Sequence, residues 1–419
     1  TIALANSWQF PDAWKSATGV ADAAIDGCED LTLDAGLALG ASSTADAPTG
    51  LDVDLSMPAN DRLPFDRPPL GSSQPVIDDY VEAAADYWAS DPGRLANPQL
   101  RSTVIELPEG LSVNPSGATG LEGCADAGIG LRELGEPPLF NDGDPFDGSA
   151  ADGAECPAGS RIGAAEVRSP VLDDVFEGDL ILGQPKSTDP TSGQMFRVFL
   201  VVRNRERGVV GKVFGSTTAD PATGQLTASF RENPQLPLER VKVSLKGGQR
   251  GVLRTPQGCG ARSWRAELAP WSARFGAVGP LVQSGALPIS SRCGLAFSPR
   301  FSAGVDGRRG GGHPGRFSFR VERRDGEQWV RSVTARLPDG LLASLRGVTR
   351  CTNAQLAAYD PGSGGMPCPA NSRIGTVDAA AGAGDPFVLE RKGAAYLTEG
   401  YKGAPYGMAV VVPVETGPF

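Results

Sequence analysis

Three consecutive runs set the fold class: Val213-Phe214-Gly215-Ser216-Thr217-Thr218, then Asp220-Pro221-Ala222-Thr223-Gly224-Gln225, then Leu226-Thr227-Ala228-Ser229-Phe230. The outer two are strand-like. The middle one has turn chemistry, with Pro221 fixing φ and Gly224 free to take positive φ. The pattern predicts a β-hairpin. Working outward, Leu51-Asp52-Val53-Asp54-Leu55, Val241-Lys242-Val243-Ser244-Leu245 and Phe317-Ser318-Phe319-Arg320-Val321 alternate strictly. Period-two alternation predicts strands with one buried and one wet face. The mixed-sign run Arg203-Asn204-Arg205-Glu206-Arg207 reads as a solvated strand end or hairpin. Short strands at close spacing and many Gly and Pro turns predict an all-β chain of tandem β-sandwich, immunoglobulin-like modules. Short helices are expected at Tyr80–Trp88, in an insertion, and at 352–359, the latter capped by Thr352 or Asn353.

The chain repeats itself. Cys156-Pro157-Ala158-Gly159-Ser160-Arg161-Ile162-Gly163 returns as Cys368-Pro369-Ala370-Asn371-Ser372-Arg373-Ile374-Gly375. Leu107-Pro108-Glu109-Gly110-Leu111 returns as Leu337-Pro338-Asp339-Gly340-Leu341, and each copy is followed by a cysteine, Cys124 or Cys351. The strand-like run Phe196–Val202 matches Tyr406–Val412. Landmarks keep their order in both copies, the signature of a repeat architecture. Insertions fall in the first copy, between Leu55 and Arg101 and between Cys124 and Cys156. Four modules are expected: 1–98 with a helical insertion, 99–250 with the first repeat, 251–328, and 329–419 with the second repeat.

Seven cysteines are present. The repeat pairs Cys124 with Cys156 and Cys351 with Cys368, while Cys259 and Cys293 close the unit between them. Cys28 is the counterpart of Cys293, and its own partner position falls at or before residue 1. With the Val-rich strand close to residue 419, this predicts a window of a longer polypeptide. These spacings do not suit zinc, and no histidine lies beside any cysteine to activate a thiol. Structural disulfides are therefore expected, and they persist outside the reducing cytosol.

These motifs, together with Lys402-Gly403-Ala404-Pro405-Tyr406-Gly407 and Asn233-Pro234-Gln235-Leu236-Pro237, resemble large exported repeat proteins of GC-rich bacteria, notably actinobacteria and myxobacteria. Residues 56–100 depart from that pattern. The resemblance implies a secreted, β-rich, repetitive protein and carries no activity with it.

Composition bounds the chemistry. The 419 residues carry a formal net charge of −10, which argues against a nucleic-acid partner. A single His removes most histidine chemistry. No run is long and apolar enough for a membrane helix. No Walker loop, dinucleotide fingerprint or Gly-x-Ser-x-Gly elbow stands in a suitable context. Arg308-Arg309-Gly310-Gly311-Gly312-His313 reads as a flexible turn. The pointed candidate is Asn141-Asp142-Gly143-Asp144-Pro145-Phe146-Asp147, where Asp142, Asp144 and Asp147 offer hard oxygens for Ca²⁺. The alternative there is an acidic solvent loop. Asp46 and the Asp173-Asp174 pair are weaker metal candidates, and no other cofactor is expected. The six tryptophans offer stacking faces for sugars or, more commonly, core packing.

The sequence therefore predicts a non-enzymatic structural or adhesive protein, extracellular or on the cell surface. It is expected to self-associate through neighbouring modules or subunits in a filament-like assembly. The second reading is a carbohydrate-binding surface module that engages glycans.

Overall fold

A computed structural model describes residues 2–7, 10–18, 30–58, 63–66, 68–69, 71–91, 95–131, 153–275, 279–294, 296–307, 311–359, 368–389, 392–414 and 417–419. Strands dominate. In chain order they begin with β1 (Ile2–Ser7), β2 (Phe10–Thr18), β3 (Gly36–Gly40), β4 (Pro48–Thr49) and β5 (Asp52–Ser56). Helix α1 (Gln74–Ala89) occupies the first insertion and contains the expected Tyr80–Trp88 segment. After it come β6 (Leu100–Glu106), β7 (Ser112–Val113), β8 (Arg161–Ser169), β9 (Leu172–Leu182), β10 (Phe196–Asn204), β11 (Val209–Ala219), β12 (Leu226–Phe230) and β13 (Arg240–Leu245). Then follow β14 (Leu253–Arg254), β15 (Gly260–Pro270), β16 (Leu281–Ile289), β17 (Arg300–Asp306) and β18 (Arg316–Glu322). Helix α2 (Asn353–Ala357) precedes β19 (Arg373–Val377), β20 (Ala380–Ala381), β21 (Phe387–Val388), β22 (Gly393–Thr398) and β23 (Gly407–Val411). No helix among the described residues is long and apolar enough to cross a membrane.

The hairpin that decides the fold class forms as read. β11 pairs antiparallel with β12, from Gly215 opposite Phe230 to Ala219 opposite Leu226. Its turn is held by Asp220, whose carboxylate accepts from the Ala222 and Thr223 amides at 2.9 and 2.7 Å. The 203–207 run closes the β10–β11 hairpin, with Asn204 Oδ1 accepting from the Arg207 amide. In α2 the N-cap is Thr352, in a capping box with Gln355.

Among the described residues, eleven strands form one antiparallel sheet in the order β16-β15-β6-β12-β11-β10-β9-β8-β13-β5-β3. The sheet curls until its two edges meet. There the Gln283 side chain on β16 accepts from the Leu37 amide at 2.7 Å and donates to the Ala35 carbonyl. A short parallel bridge, Thr44 to Ser291, continues the seam. This sheet corrects the expected module boundaries. Strands from 1–98, 99–250 and 251–328 are hydrogen-bonded side by side, so divisions at 98/99 and 250/251 do not separate sheets. β13 pairs with β5 across the first division, and β6 pairs with β12 on one edge and with β15 on the other across the second.

Burial follows from the parity of the strands. On β10, Val198, Leu200 and Val202 face Ile162, Phe176 and Leu180 in one core. The intervening Phe199 and Val201 face Ile181, Ile129 and the Cys124–Cys156 bridge in another. This central strand is therefore apolar on both faces. A third core joins Leu51, Ile105, Leu111, Trp264 and Leu287. Trp264 and Trp271 are core residues, not sugar platforms, and Trp271 donates from Nε1 to the Asn233 carbonyl.

The second repeat builds a three-stranded sheet, β19-β22-β23, and the unit before it forms a separate hairpin, β17–β18. Here one expectation fails. Phe317–Val321 forms β18, but Phe317 and Phe319 are both exposed. Alternation makes a face fit for burial; among the described residues nothing buries this one.

Candidate functional site

All three expected disulfides are present: Cys124–Cys156, Cys259–Cys293 and Cys351–Cys368. In both repeats the first cysteine is clamped in the same way. Cys124 N–H donates to the Leu182 carbonyl, and its own carbonyl accepts from Gln184. Cys351 N–H donates to Leu397, and its carbonyl accepts from Glu399. The CPAxS turn also repeats, with the Ser160 hydroxyl donating to the Pro157 carbonyl at 2.7 Å and Ser372 to Pro369 at 2.6 Å. The octapeptide is thus a structural cassette that seats a disulfide-closed flap on a sheet.

The most chemically loaded site joins residue 46 to the stretch 254–326. Asp46 has no solvent exposure and sits at φ 51°, a region Asp and Asn tolerate better than most residues. Its carboxylate accepts from Nε and Nη2 of Arg254 on β14, the Nε bond being 2.7 Å. It also accepts from Arg323 at 2.6 Å and from the Gly326 amide at 2.8 Å. Arg323 also donates to the carbonyl of Glu327, a buried residue. Trp329, exposed on its outer side, stacks on the Arg254 guanidinium. Burial pushes the Asp46 carboxyl up, but the bonds from Arg323, Arg254 and Gly326 outweigh it and hold it below its ordinary value. A buried charge is thereby matched by charges and an amide from both sides.

A second set of contacts flanks this one. Asn114, almost fully buried, donates to the Gly251 and Ala383 carbonyls and accepts from the Ala383 amide at 2.8 Å. Arg250 pairs with Asp385, and the Asp385 amide donates to the Gln249 carbonyl. Gly384 has φ 82°, and a Cβ there would collide with the same Gln249 carbonyl, so the backbone docks too closely for any other residue. Phe419 meets Phe196 edge-on at 5.0 Å.

Inside the first flap, Asp126 binds Lys186 and the buried Arg197, each at 2.8 Å. Burial raises its carboxyl, while Lys186 and Arg197 pull it down further, leaving it lowered. Arg197 also lies over the Phe199 and Phe214 rings.

The expected metal ligands Asp142, Asp144 and Asp147 lie outside the described residues, as does Cys28. Asp46 is fully engaged by arginine and an amide, and Asp174 pairs with Arg207. No group of three metal-ligating side chains occurs among the described residues. A cavity of about 330 Å³ is lined by Ser56, Met57, Arg168, Glu239 and Arg240, and Arg240 is already paired with Asp54. Sequence reasoning had no signal for the joint. Asp46 stands 208 residues from Arg254 and 277 from Arg323, and no local pattern links them.

No protein-family model, curated protein or solved structure matches this chain.

Proposed function

We propose that this chain is an extracellular structural or adhesive protein, a stiff element of a filament-like surface assembly. The observation that carries the reading is the joint at Asp46, where a buried carboxylate ties the stretch around residue 46 to Arg254, Arg323 and Gly326, more than 200 residues away. Such a joint suits transmission of shape from one unit to the next, as in quasi-one-dimensional repeat proteins. The three disulfides suit an oxidising location. The resemblance to exported repeat proteins of GC-rich bacteria points the same way. Immunogold labelling of the producing cells tests it. Label on extended structures outside the cell is expected, and label confined to the cytosol would refute it.

A second reading, glycan binding, rests on one residue. Trp329 presents an exposed indole face backed by Arg254. Saturable binding to a glycan array that disappears in Trp329→Ala would favour it.

A further inference from the structure

The three disulfides differ in where they stand. Cys124, Cys156, Cys351 and Cys368 are all buried. Cys293 is exposed and Cys259 half-buried, so this bridge alone of the three is open to solvent. The backbone at their ends differs as well. Cys124 and Cys351 are each clamped to a strand through both the N–H and the carbonyl. Cys259 and Cys293 lie beyond the β15–β16 ladder, whose last pair is Gly260 opposite Ile289. Past that pair the bridge ties the two chain ends of the hairpin, with Cα atoms 5.3 Å apart.

Between the ladder and Cys293 lie Ser290, Ser291 and Arg292, which reach across the seam of the curled sheet. The Ser290 and Ser291 amides both donate to the Ser43 carbonyl, at 2.8 and 3.1 Å. The Ser291 carbonyl accepts from the Ala45 amide at 3.0 Å, and its hydroxyl donates to Thr44 Oγ1 at 2.9 Å. Arg292 stands at φ 56°, a left-handed conformation that such a residue keeps only where its surroundings impose it. Its side chain lies against Gly326, where a Cβ would collide with it. The Gly326 amide is one of the donors to Asp46. On the other side of the bridge, the Pro256 carbonyl accepts from the Asp46 amide at 2.9 Å, and Gln257 donates to the Glu327 carbonyl at 2.8 Å. Both segments that the bridge joins therefore run directly into the seam and the Asp46 joint.

We infer that Cys259–Cys293 is a thiol-exchange site, addressed by a small thiol or dithiol, and that its opening loosens the seam and the joint together. The chemistry is a two-electron exchange. A thiolate attacks the sulfur of Cys293, the exposed partner. The S–S bond breaks, and Cys259 leaves as a thiolate that takes a proton from water. A second thiolate attacks the mixed disulfide and frees Cys293, and the two external sulfurs depart joined as a disulfide. The protein is reduced and the external thiols are oxidised. Exchange requires access of the attacking thiolate, so the two buried bridges are the slow ones. Opening removes the tie past Gly260 and Ile289. Arg292 can then leave the left-handed region, which takes Ser290 and Ser291 off Ser43 and its own side chain off Gly326. The buried bridges and the strand ladders stay in place, so the response is local and reverses on reoxidation.

The test treats the full oxidised chain with rising concentrations of dithiothreitol, alkylates it with iodoacetamide and maps the labelled peptides by mass. Cys259 and Cys293 should be labelled at a concentration about tenfold or more below that needed for Cys124, Cys156, Cys351 and Cys368. Reduction of all three bridges together, or of a buried bridge first, overturns the proposal. At the selective concentration, hydrogen exchange at the Ala45, Ser290, Ser291 and Gly326 amides should be about tenfold faster, with β10 unchanged. Unchanged exchange at those four amides overturns it, since the bridge would then hold neither seam nor joint. Loss of protection at β10 overturns it too, because opening would then unfold the sheet. A double variant, Cys259→Ser with Cys293→Ser, should show the same faster exchange without thiol and no further change when dithiothreitol is added. A further increase on adding it would place the effect at another cysteine and refute the assignment.

Discussion

Replacing Asp46 by Asn removes one negative charge from the joint and changes little else. Shape is kept, and Asn tolerates positive φ as Asp does, so backbone strain is held constant. What changes is that Arg254 and Arg323 face each other across a neutral amide. Orphaning one partner of a buried ion pair costs about 3–5 kcal/mol. The two guanidinium side chains are 18% and 22% exposed, so water recovers part of that loss. The lower end, about 3 kcal/mol, is the expected loss. At 1.4 kcal/mol per tenfold, hydrogen-exchange protection of the Gly326 and Glu327 amides should fall about 100-fold. Asp46→Ala adds a non-Asx residue at φ 51° and should lose about 1–2 kcal/mol more. The comparison separates charge from backbone. Protection at 326–327 that falls less than about threefold in Asp46→Asn would refute the argument, since that corresponds to well under 1 kcal/mol. An equal fall at β10 would also refute it, because the effect would then be global and not local to the joint.

Acid should loosen the same joint. The folded carboxyls of Asp46 and Asp126 lie below their ordinary value of 3.8, so their contribution is complete above that pH and is lost as pH falls through the folded values. Exchange at 325–327 that is flat from neutral pH down to 4 and rises only below it, after correction for intrinsic rates, is the expected profile; a rise centred near pH 6 would be wrong. Replacing Cys351 and Cys368 by Ser should cost about 3 kcal/mol for a separation of 17 residues, read as a lower urea midpoint with Tyr396 fluorescence exposed early. An unchanged midpoint would mean that the flap is held by Cys351's backbone clamp alone. Asn114→Ala orphans the Ala383 amide and two carbonyls and should cost about 1–3 kcal/mol. The check is faster proteolysis at 380–388, with β8–β10 unaffected.

Features that live within a short stretch were legible in the sequence. The Asp220–Gln225 turn, the Thr352 cap and the 203–207 hairpin end are each decided by a few consecutive residues. The three disulfides were legible because the repeat supplied the comparison that spacing alone does not. Three things were hidden. Module boundaries failed because pairing partners are not written locally: nothing in Leu100–Glu106 says that it will bridge β12 and β15. Burial failed at Phe317–Val321 because alternation reports which side chains suit a core, and the presence of the covering strands is a separate fact. The joint was hidden for the same reason, since Asp46 is local to neither arginine. Asp142, Asp144 and Asp147 remain a calcium reading of the sequence only.

The seam of the curled sheet is closed differently from the rest of the wall. Neighbouring strands elsewhere are joined by continuous ladders; β10 and β11 alone share nine residue pairs. The seam is joined by the side chain of Gln283 and by a few backbone bonds around Ser43 and Ser291. The rest of the seam is closed by apolar packing, Leu287 with Leu37 and Leu51 and Leu281 with Leu33 and Leu55. The wall is thus closed along this line chiefly by side chains, where elsewhere it is closed by backbone.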